Sequence, residues 1–285
     1  MTKSHLLLLA LGLASALAAG AEAGVSGEPE TVVVPSGALK LRALLWRPQG
    51  GGPFPAVLFN HGSGHATGIA AGRRDQRHPG LLGPLFARHG YVFLYLFRRG
   101  DGLSVGQGIP SGDRMDNELA TKGQDARNQL QLQLLEGDEK SDALAGLAFL
   151  RALPEVDPGR VAIAGVSFGG SLTLLVAERD TSLRAAVVFA AAGHSWERSP
   201  PLRARLLAAV GRIAAPVFLI HAANDYSVEP GKALGAERAR LGKPHRVKIY
   251  PPVGRTADEG HDFVDLGVAT WEPDVFAFLD EHMGR

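Results

Sequence analysis

The sequence predicts an α/β domain whose mostly parallel, doubly wound sheet begins with an antiparallel hairpin. Two β-rich runs, 31–34 and 39–45, flank a Pro35-Ser36-Gly37 turn and indicate the hairpin. After them, short apolar runs alternate with helical patterns, which is typical of parallel strands joined by crossover helices. The chain has 285 residues, 45% of them hydrophobic, so we expect residues 24–285 to form one domain around a large core.

Six apolar runs are predicted as strands buried on both faces, because helices cover both sides of a parallel sheet. They are 56–59, 91–97, 161–164, 185–189, 217–220 and 247–250. Helices are predicted at 82–89, 141–153, 171–178, 202–210, 230–241 and 274–282. Catalytic groups in such sheets lie beyond the carboxyl ends of the strands, so the loops that follow the strands are the places to look for chemistry.

Two stretches, 100–138 and 193–212, are longer than simple alternation needs. We expect them to form cap or lid insertions over a site at the carboxyl edge of the sheet. Surface decoration without a role is the alternative, since long loops are either functional or merely mobile.

The first 23 residues have the pattern of a signal peptide. Lys3 precedes an apolar run at 6–17, and Ala21-Glu22-Ala23 fits the small-x-small pattern before a cleavage site. The run is shorter than the ~20 residues of a membrane-spanning helix. We therefore expect a secreted or periplasmic protein without an integral membrane segment after cleavage; a buried N-terminal helix is the alternative.

Composition excludes several other classes. The net charge is +1 and no basic stripe is present, so we expect no nucleic-acid partner. The absence of cysteine excludes disulfides, a lipid-modified cysteine anchor and a cysteine nucleophile.

Ser167 is the predicted nucleophile. It lies in GVSFGG (165–170), directly after a predicted strand and at the start of a predicted helix, which is the context of a nucleophile elbow. Ser104 also fits G-x-S-x-G, but it lies several residues beyond its strand. The following segment, 107–110, contains Gly and Pro and cannot continue as a helix. We therefore interpret Ser104 as structural.

Asp225 and His261 are the predicted partners of Ser167, because each follows a later strand in the order acid, then histidine. A serine hydroxyl needs a base to take its proton, and an imidazole titrates near neutral pH. A carboxylate then fixes the tautomer of that imidazole. Asp262 adjoins His261 and would point elsewhere. We interpret His221 as a hydrogen-bonded structural histidine rather than as the base.

An oxyanion hole needs two backbone donors. We expect one from the amide of Phe168, the residue after the nucleophile, and the other from the amide of Ser63 in HGSGH (61–65). A plain glycine turn is the alternative for this second loop. His61 and His65 lack a third ligand at suitable spacing, so we expect neither a metal nor any other cofactor.

Five motifs together resemble the α/β-hydrolase superfamily, and within it the dienelactone-hydrolase-like branch, from about Val32 onward. They are NHGSG (60–64), RRGDGLS (98–104), GVSFGG (165–170), NDYSV (224–228) and GHDF (260–263). The resemblance implies an α/β-hydrolase fold and a hydrolytic activity. Dienelactone hydrolase itself uses a cysteine nucleophile, which disfavours a dienelactone substrate here. Peptide-cleaving relatives often carry an N-terminal propeller, for which this sequence has no room.

Three functions remain open from the sequence. The leading one is a serine hydrolase that cleaves carboxylic esters or similar small acyl compounds through an acyl-enzyme. An exported peptidase or amidase would use the same residues. A catalytically silent binding protein could share the fold, because fold alone does not establish function. The sequence indicates neither the acyl group nor the oligomeric state.

The signal-peptide pattern generates a first prediction. Because Ala21-Glu22-Ala23 precedes the expected cleavage site, the mature chain should begin at or near Gly24. Mass spectrometry of protein purified from its native host measures this terminus directly. Recovery of chains that retain Met1 or Thr2 would contradict the prediction.

Overall fold

The computed structural model describes residues 28–64 and 69–284, so the predicted signal peptide at 1–23 lies outside the described residues. Eight strands form one sheet in the order β1-β2-β4-β3-β5-β6-β7-β8. Their bounds are β1 Glu30–Ser36, β2 Leu39–Trp46, β3 Phe54–Asn60, β4 Val92–Phe97, β5 Val156–Val166, β6 Ala185–Phe189, β7 Val217–Ala222 and β8 His245–Tyr250.

The pairing pattern confirms the predicted fold class. β1 and β2 form the antiparallel hairpin, with Val32 opposite Ala43, and Gly37 turns the chain with a φ of 57°. β2 also pairs antiparallel with β4, while every pair from β4 to β8 is parallel. The sheet is therefore mostly parallel, and only its start is antiparallel.

Helices cover both faces of the sheet. Their bounds are α1 Ile69–Arg88, α2 Ser111–Lys122, α3 Gln124–Glu136, α4 Asp138–Arg151, α5 Phe168–Arg179, α6 Pro200–Arg212, α7 Glu229–Arg240, α8 Ala257–His261, α9 Phe263–Leu266 and α10 Val268–Met283. The buried residues of α4 to α7 share one core cluster, and those of α1 and α10 share the other. Within residues 28–64 and 69–284, no helix combines the length and apolar character that a membrane crossing requires.

The central strands are mostly apolar because they supply both cores. In β3, Ala56 and Leu58 belong to the core under α4 to α7, whereas Val57 and Phe59 belong to the core under α1 and α10. Successive side chains of a strand point to opposite faces, so a strand covered on both sides needs apolar residues at every position.

The prediction that β8 is buried on both faces is wrong. β8 is an edge strand, and only Tyr250 at its end is fully buried. Arg246 lies over the rings of Phe218 and Phe278, and Lys248 lies over the ring of Tyr250. Long basic side chains can cover apolar surface while their charge stays in water, and charge on an edge strand disfavours pairing with another chain.

The two long segments have different structures. Residues 100–138 form a 3₁₀ turn at Gly102–Ser104 followed by α2 and α3. In 193–212, α6 is the crossover helix between β6 and β7, and Leu202 and Leu206 pack into the core. A lid role for either segment stays a prediction.

The start of α5 packs against the end of β3 at a distance that only glycine permits. A Cβ atom at Gly169 would lie 2.1 Å from the carbonyl oxygen of His61 and 2.2 Å from that of Asn60. This contact fixes the turn before α5 against the loop after β3.

Gly169→Ala should therefore lower the free energy of unfolding by about 1–3 kcal/mol, because backbone must move to admit the methyl group. The matched control is Gly80→Ala, since Gly80 is a helical glycine with no atom within 4 Å of the added Cβ. Gly80→Ala should raise stability by about 0.5–1 kcal/mol. Urea unfolding measures both; equal effects would contradict the packing argument.

Candidate active site

Ser167 stands on a strained turn between β5 and α5. Its φ of 58° and ψ of −118° place a non-glycine residue in a conformation that L-residues rarely adopt. Its amide donates to the carbonyl oxygen of Phe189 at 2.9 Å, and its carbonyl oxygen accepts from the amide of Ser171 at 3.0 Å. A Cβ at Gly165 would lie 2.5 Å from the carbonyl oxygen of Gly169, so the turn closes tightly.

His261 connects Ser167 to Asp225. Its Nε2 lies 2.8 Å from the hydroxyl of Ser167, and its Nδ1 lies 2.7 Å from Oδ1 of Asp225. His261 is the last residue of α8. A capping box between Thr256 and Glu259 starts that helix and fixes its direction.

Asp225 is shared between two histidines. Its second oxygen, Oδ2, lies 2.7 Å from Nδ1 of the buried His221, and Oδ1 also accepts from the amide of Tyr226 at 2.7 Å. Burial would raise the pKa of Asp225, but the hydrogen bonds from His221 and His261 outweigh it and lower that pKa to about 2. The carboxylate therefore stays ionised at neutral pH.

The depressed pKa also links this carboxylate to stability. An unfolded aspartate takes up its proton near pH 4, whereas folded Asp225 does so only near pH 2. Its contribution to stability is therefore present above about pH 4 and is lost as the pH falls towards 2.

Close contacts at two glycines fix the position of His261 relative to Asp225. A Cβ at Gly193 would lie 2.8 Å from Oδ1 of Asp225 and 3.2 Å from Nδ1 of His261. A Cβ at Gly260 would lie 2.5 Å from the carbonyl carbon of Asn224. The loops that carry Asp225 and His261 therefore pack backbone to backbone, which leaves little freedom in their separation.

Arg98 fixes the loop after β3, in which Ser63 lies. Its guanidinium is fully buried and donates to the carbonyl oxygens of His61 at 3.0 Å and Gly62 at 2.8 Å. Nε donates to Glu139 on α4 at 2.5 Å. The RRGDGLS motif contains Arg98 but does not by itself reveal this role, which depends on contacts distant in the sequence.

A cavity of about 280 Å³ opens beside Ser167. It is lined by Ser63, Met115, Asp116, Arg127, Gln131, Ser167, Phe168, Ser171, Ala192, His194, Ser195 and Arg198. The structure thus brings Ser63 and Phe168 to the same cavity as Ser167. Both long segments contribute to its wall, and no sequence motif marks the residues that do so.

The polar wall residue His194 lies against the histidine of the site. Its ring centroid is 3.5 Å from that of Tyr226 and 4.8 Å from that of His261. Burial lowers the pKa of His194 to about 4, with further lowering by the nearby His261 and Arg198. His194 is therefore neutral at physiological pH and does not compete with His261 for the charge of Asp225.

The competing residues have other contacts. The buried hydroxyl of Ser104 donates to the carbonyl oxygen of Phe97 at 2.7 Å and accepts from the amide of Arg42 at 2.8 Å. Asp262 caps α9 through its backbone carbonyl, which accepts from Asp265 and Leu266 at 3.0 Å each. These contacts give both residues a structural role.

His61, one of the two histidines considered for a metal, has other contacts. Nδ1 of His61 lies 2.9 Å from the carbonyl oxygen of Gly62, and Nε2 accepts from the amide of Arg98 at 3.3 Å. Burial lowers the pKa of His61 well below its ordinary value, and Arg98 lowers it further. His65 lies outside the described residues. Within the described ranges, no three His, Asp or Glu side chains cluster as a metal site would require.

The sheet order, the helix layers and this strand-turn-helix site define an α/β-hydrolase fold. The family model of X-Pro dipeptidyl-peptidase (S15 family) matches residues 36–205. Because this match covers more than half of the chain, the protein belongs to that family. Family and fold together make it a hydrolase. No curated protein sequence matches it.

Solved structures share this fold at low sequence identity. A candidate dienelactone hydrolase from Klebsiella pneumoniae has a TM-score of 0.60 and 20% identity, over 90% of this chain and 98% of that one. Est1E from Butyrivibrio proteoclasticus, with bound ferulic acid, has a TM-score of 0.61 and 18% identity, over 89% and 100%. Pyrococcus horikoshii acylaminoacyl peptidase has a TM-score of 0.61 and 18% identity, over 88% of this chain but 41% of that one.

The shared carboxylate generates a prediction about Asp225. Asp225→Asn replaces one of two acceptor oxygens by an NH₂ group, although His221 and His261 each need an acceptor there. Turnover should fall by roughly 10⁴ at neutral pH, because the histidine loses its oriented tautomer. Single-turnover acylation measures the loss, and circular dichroism checks folding.

Asp262→Asn is the matched control, with an expected change below about tenfold, since its backbone rather than its carboxylate caps α9. Normal acylation by Asp225→Asn together with failure of Asp262→Asn would show that the acid has been assigned to the wrong residue.

Proposed function

We propose that this protein is a serine hydrolase that cleaves carboxylic esters of small acyl groups through an acyl-enzyme. The observation that carries the proposal is the hydrogen-bonded chain from Asp225 through His261 to Ser167 at the wall of a cavity. A nucleophile, a base and an orienting acid within hydrogen-bond reach are the groups that acyl transfer needs.

The proposed reaction begins at Ser167. Nε2 of His261 takes the hydroxyl proton while the oxygen attacks the acyl carbon, and Asp225 stabilises the imidazolium that forms. The amides of Phe168 and Ser63 are the proposed donors to the developing oxyanion. His261 then protonates the departing alcohol, and a water activated by the same histidine hydrolyses the acyl-enzyme.

The size of the cavity supports a small substrate. At about 280 Å³ it lies at the lower end of ligand pockets, which range over ~300–1,000 Å³. Its wall is mainly polar, so a long aliphatic acyl chain would leave polar groups without partners.

A peptidase or amidase is the second candidate, favoured by the family match. It would use the same three residues on an amide. A silent binding protein on this fold is the third candidate, and the intact hydrogen-bonded chain argues against it. We further propose a secreted or periplasmic location, on the basis of the signal-peptide pattern in residues 1–23.

Labelling by a fluorophosphonate tests the serine mechanism. Wild-type protein should be labelled, and Ser167→Ala should abolish labelling and lower turnover by about a million-fold, the loss typical of a fully evolved relay. Ser104→Ala, the control, should leave a labelled and active protein, because its hydroxyl bonds to Phe97 and Arg42. Labelling that persists without Ser167 but disappears without Ser104 would contradict the assignment.

Turnover of aryl esters beside aminoacyl amides separates the first two candidates. We expect esters of short acyl groups to be hydrolysed with the higher kcat/KM. Efficient cleavage of aminoacyl amides that depends on Ser167 would favour the peptidase. Absence of both fluorophosphonate labelling and turnover would favour the silent binding protein.

A further inference from the structure

Two arginines line the cavity beside Ser167, Arg127 from α3 and Arg198 from the loop before α6. Other arginines of the fold have carboxylate partners, such as Arg98 with Glu139 and Arg99 with Asp142. Among the side chains that the structure describes, those of 28–64 and 78–284, no carboxylate forms an ion pair with Arg127 or Arg198. Their guanidinium groups therefore retain donors that can face a ligand.

Buried amide side chains of α3 hold the guanidinium of Arg127 and the backbone of Arg198. Nη1 of Arg127 donates to Oε1 of Gln131 at 3.1 Å, and the same oxygen accepts from the hydroxyl of Ser195 at 3.1 Å. Nδ2 of Asn128 donates to the carbonyl oxygen of Arg198 at 2.6 Å. A guanidinium has five N–H donors, so Arg127 keeps four beyond the bond to Gln131.

The cavity has an excess of positive charge. Burial lowers the pKa of Arg127, the charge of Asp116 opposes this effect, and Arg198 lowers the pKa further. The two arginines are thus near enough to repel each other. Among the lining residues that the structure describes, Asp116 is the one carboxylate beside these two guanidinium groups. An anionic group bound between the arginines would relieve this repulsion.

We propose that Arg127 and Arg198 form a carboxylate subsite, and that the preferred substrates are small esters carrying a second, free carboxylate. The inference rests on the proposed function, since it names the substrate class of the Ser167 site. Planar guanidinium groups match a carboxylate through charge-assisted hydrogen bonds, and a cavity of about 280 Å³ keeps the carboxylate within a few bonds of the scissile ester.

Two matched pairs of esters test the subsite. The first compares mono-para-nitrophenyl succinate with its methyl ester, which places the carboxylate on the acyl side. The second compares meta-acetoxybenzoate with its methyl ester, which places it on the leaving group. In at least one pair, wild-type kcat/KM should favour the free carboxylate by on the order of a hundredfold, about tenfold for each arginine, and added salt should reduce the preference.

Charge-removing substitutions should reduce this preference. Arg127→Gln and Arg198→Gln should each lower the kcat/KM ratio within the favoured pair by about tenfold, the effect of one charge-assisted hydrogen bond. The double variant should bring the ratio near one. Arg127→Lys keeps the charge but loses the planar set of N–H donors. The kcat/KM ratio of this variant should therefore lie between those of wild type and Arg127→Gln.

Arg203→Gln is the matched control. Arg203 lies on α6 and does not line the cavity. Its Nη1 is 3.8 Å from Oε2 of Glu197 at the surface. The same loss of charge there should leave the ratio unchanged. An equal effect at Arg203 would show that general surface charge, not the subsite, sets the preference.

The outcomes separate this inference from the proposed function. Labelling at Ser167 with turnover of the neutral esters, but no carboxylate preference in either pair, would overturn the subsite and leave the hydrolase. A preference for cationic aminoacyl esters would do the same. Absence of labelling and of all turnover would overturn both. Since the wild-type ratio already decides between these outcomes, a variant that fails to fold does not obscure the result.

Discussion

The buried guanidinium of Arg98 is the interaction on which the site geometry depends most. It connects β4, which it follows, to Glu139 on α4 and to the carbonyl oxygens of His61 and Gly62. It also lies 5.7 Å from the ring centroid of Phe168. A charge removed from water must be fully paired, so these four segments are held in one arrangement. Both proposed oxyanion donors, Ser63 and Phe168, belong to segments that Arg98 contacts.

The acid of the site is constrained in a similar way. Asp225 binds two histidines, and each of its oxygens is used. His221 is buried and belongs to β7, so it attaches the carboxylate to the sheet before His261 approaches from α8. A side chain positioned by the rigid sheet can orient an imidazole at the end of a short helix, which is the arrangement that a preorganised site requires.

The sequence predicted the sheet and the Ser167 turn because both rest on local rules. Apolar runs in the central strands follow from burial on two faces. GVSFGG predicts the Ser167 turn because a strand precedes it and a helix follows it. The edge position of β8 depends on sheet order, which its own residues do not encode. The contacts of Arg98 and the meeting of Arg127 with Arg198 are long-range as well. The sequence of a polar helix does not show whether its arginine faces solvent or a cavity.

This difference between local and long-range features explains how one fold can keep its chemistry while its substrate changes. Ser167, Asp225 and His261 follow core elements and are fixed by glycine contacts and buried hydrogen bonds. The proposed carboxylate subsite instead belongs to α3 and the loop at 193–199, joined to each other through Asn128 and Gln131. Substitutions in α3 can therefore alter the charge of the cavity without moving the nucleophile. On the proposed subsite, substrate choice depends on residues of α3 and of the loop at 193–199, not on the fold itself.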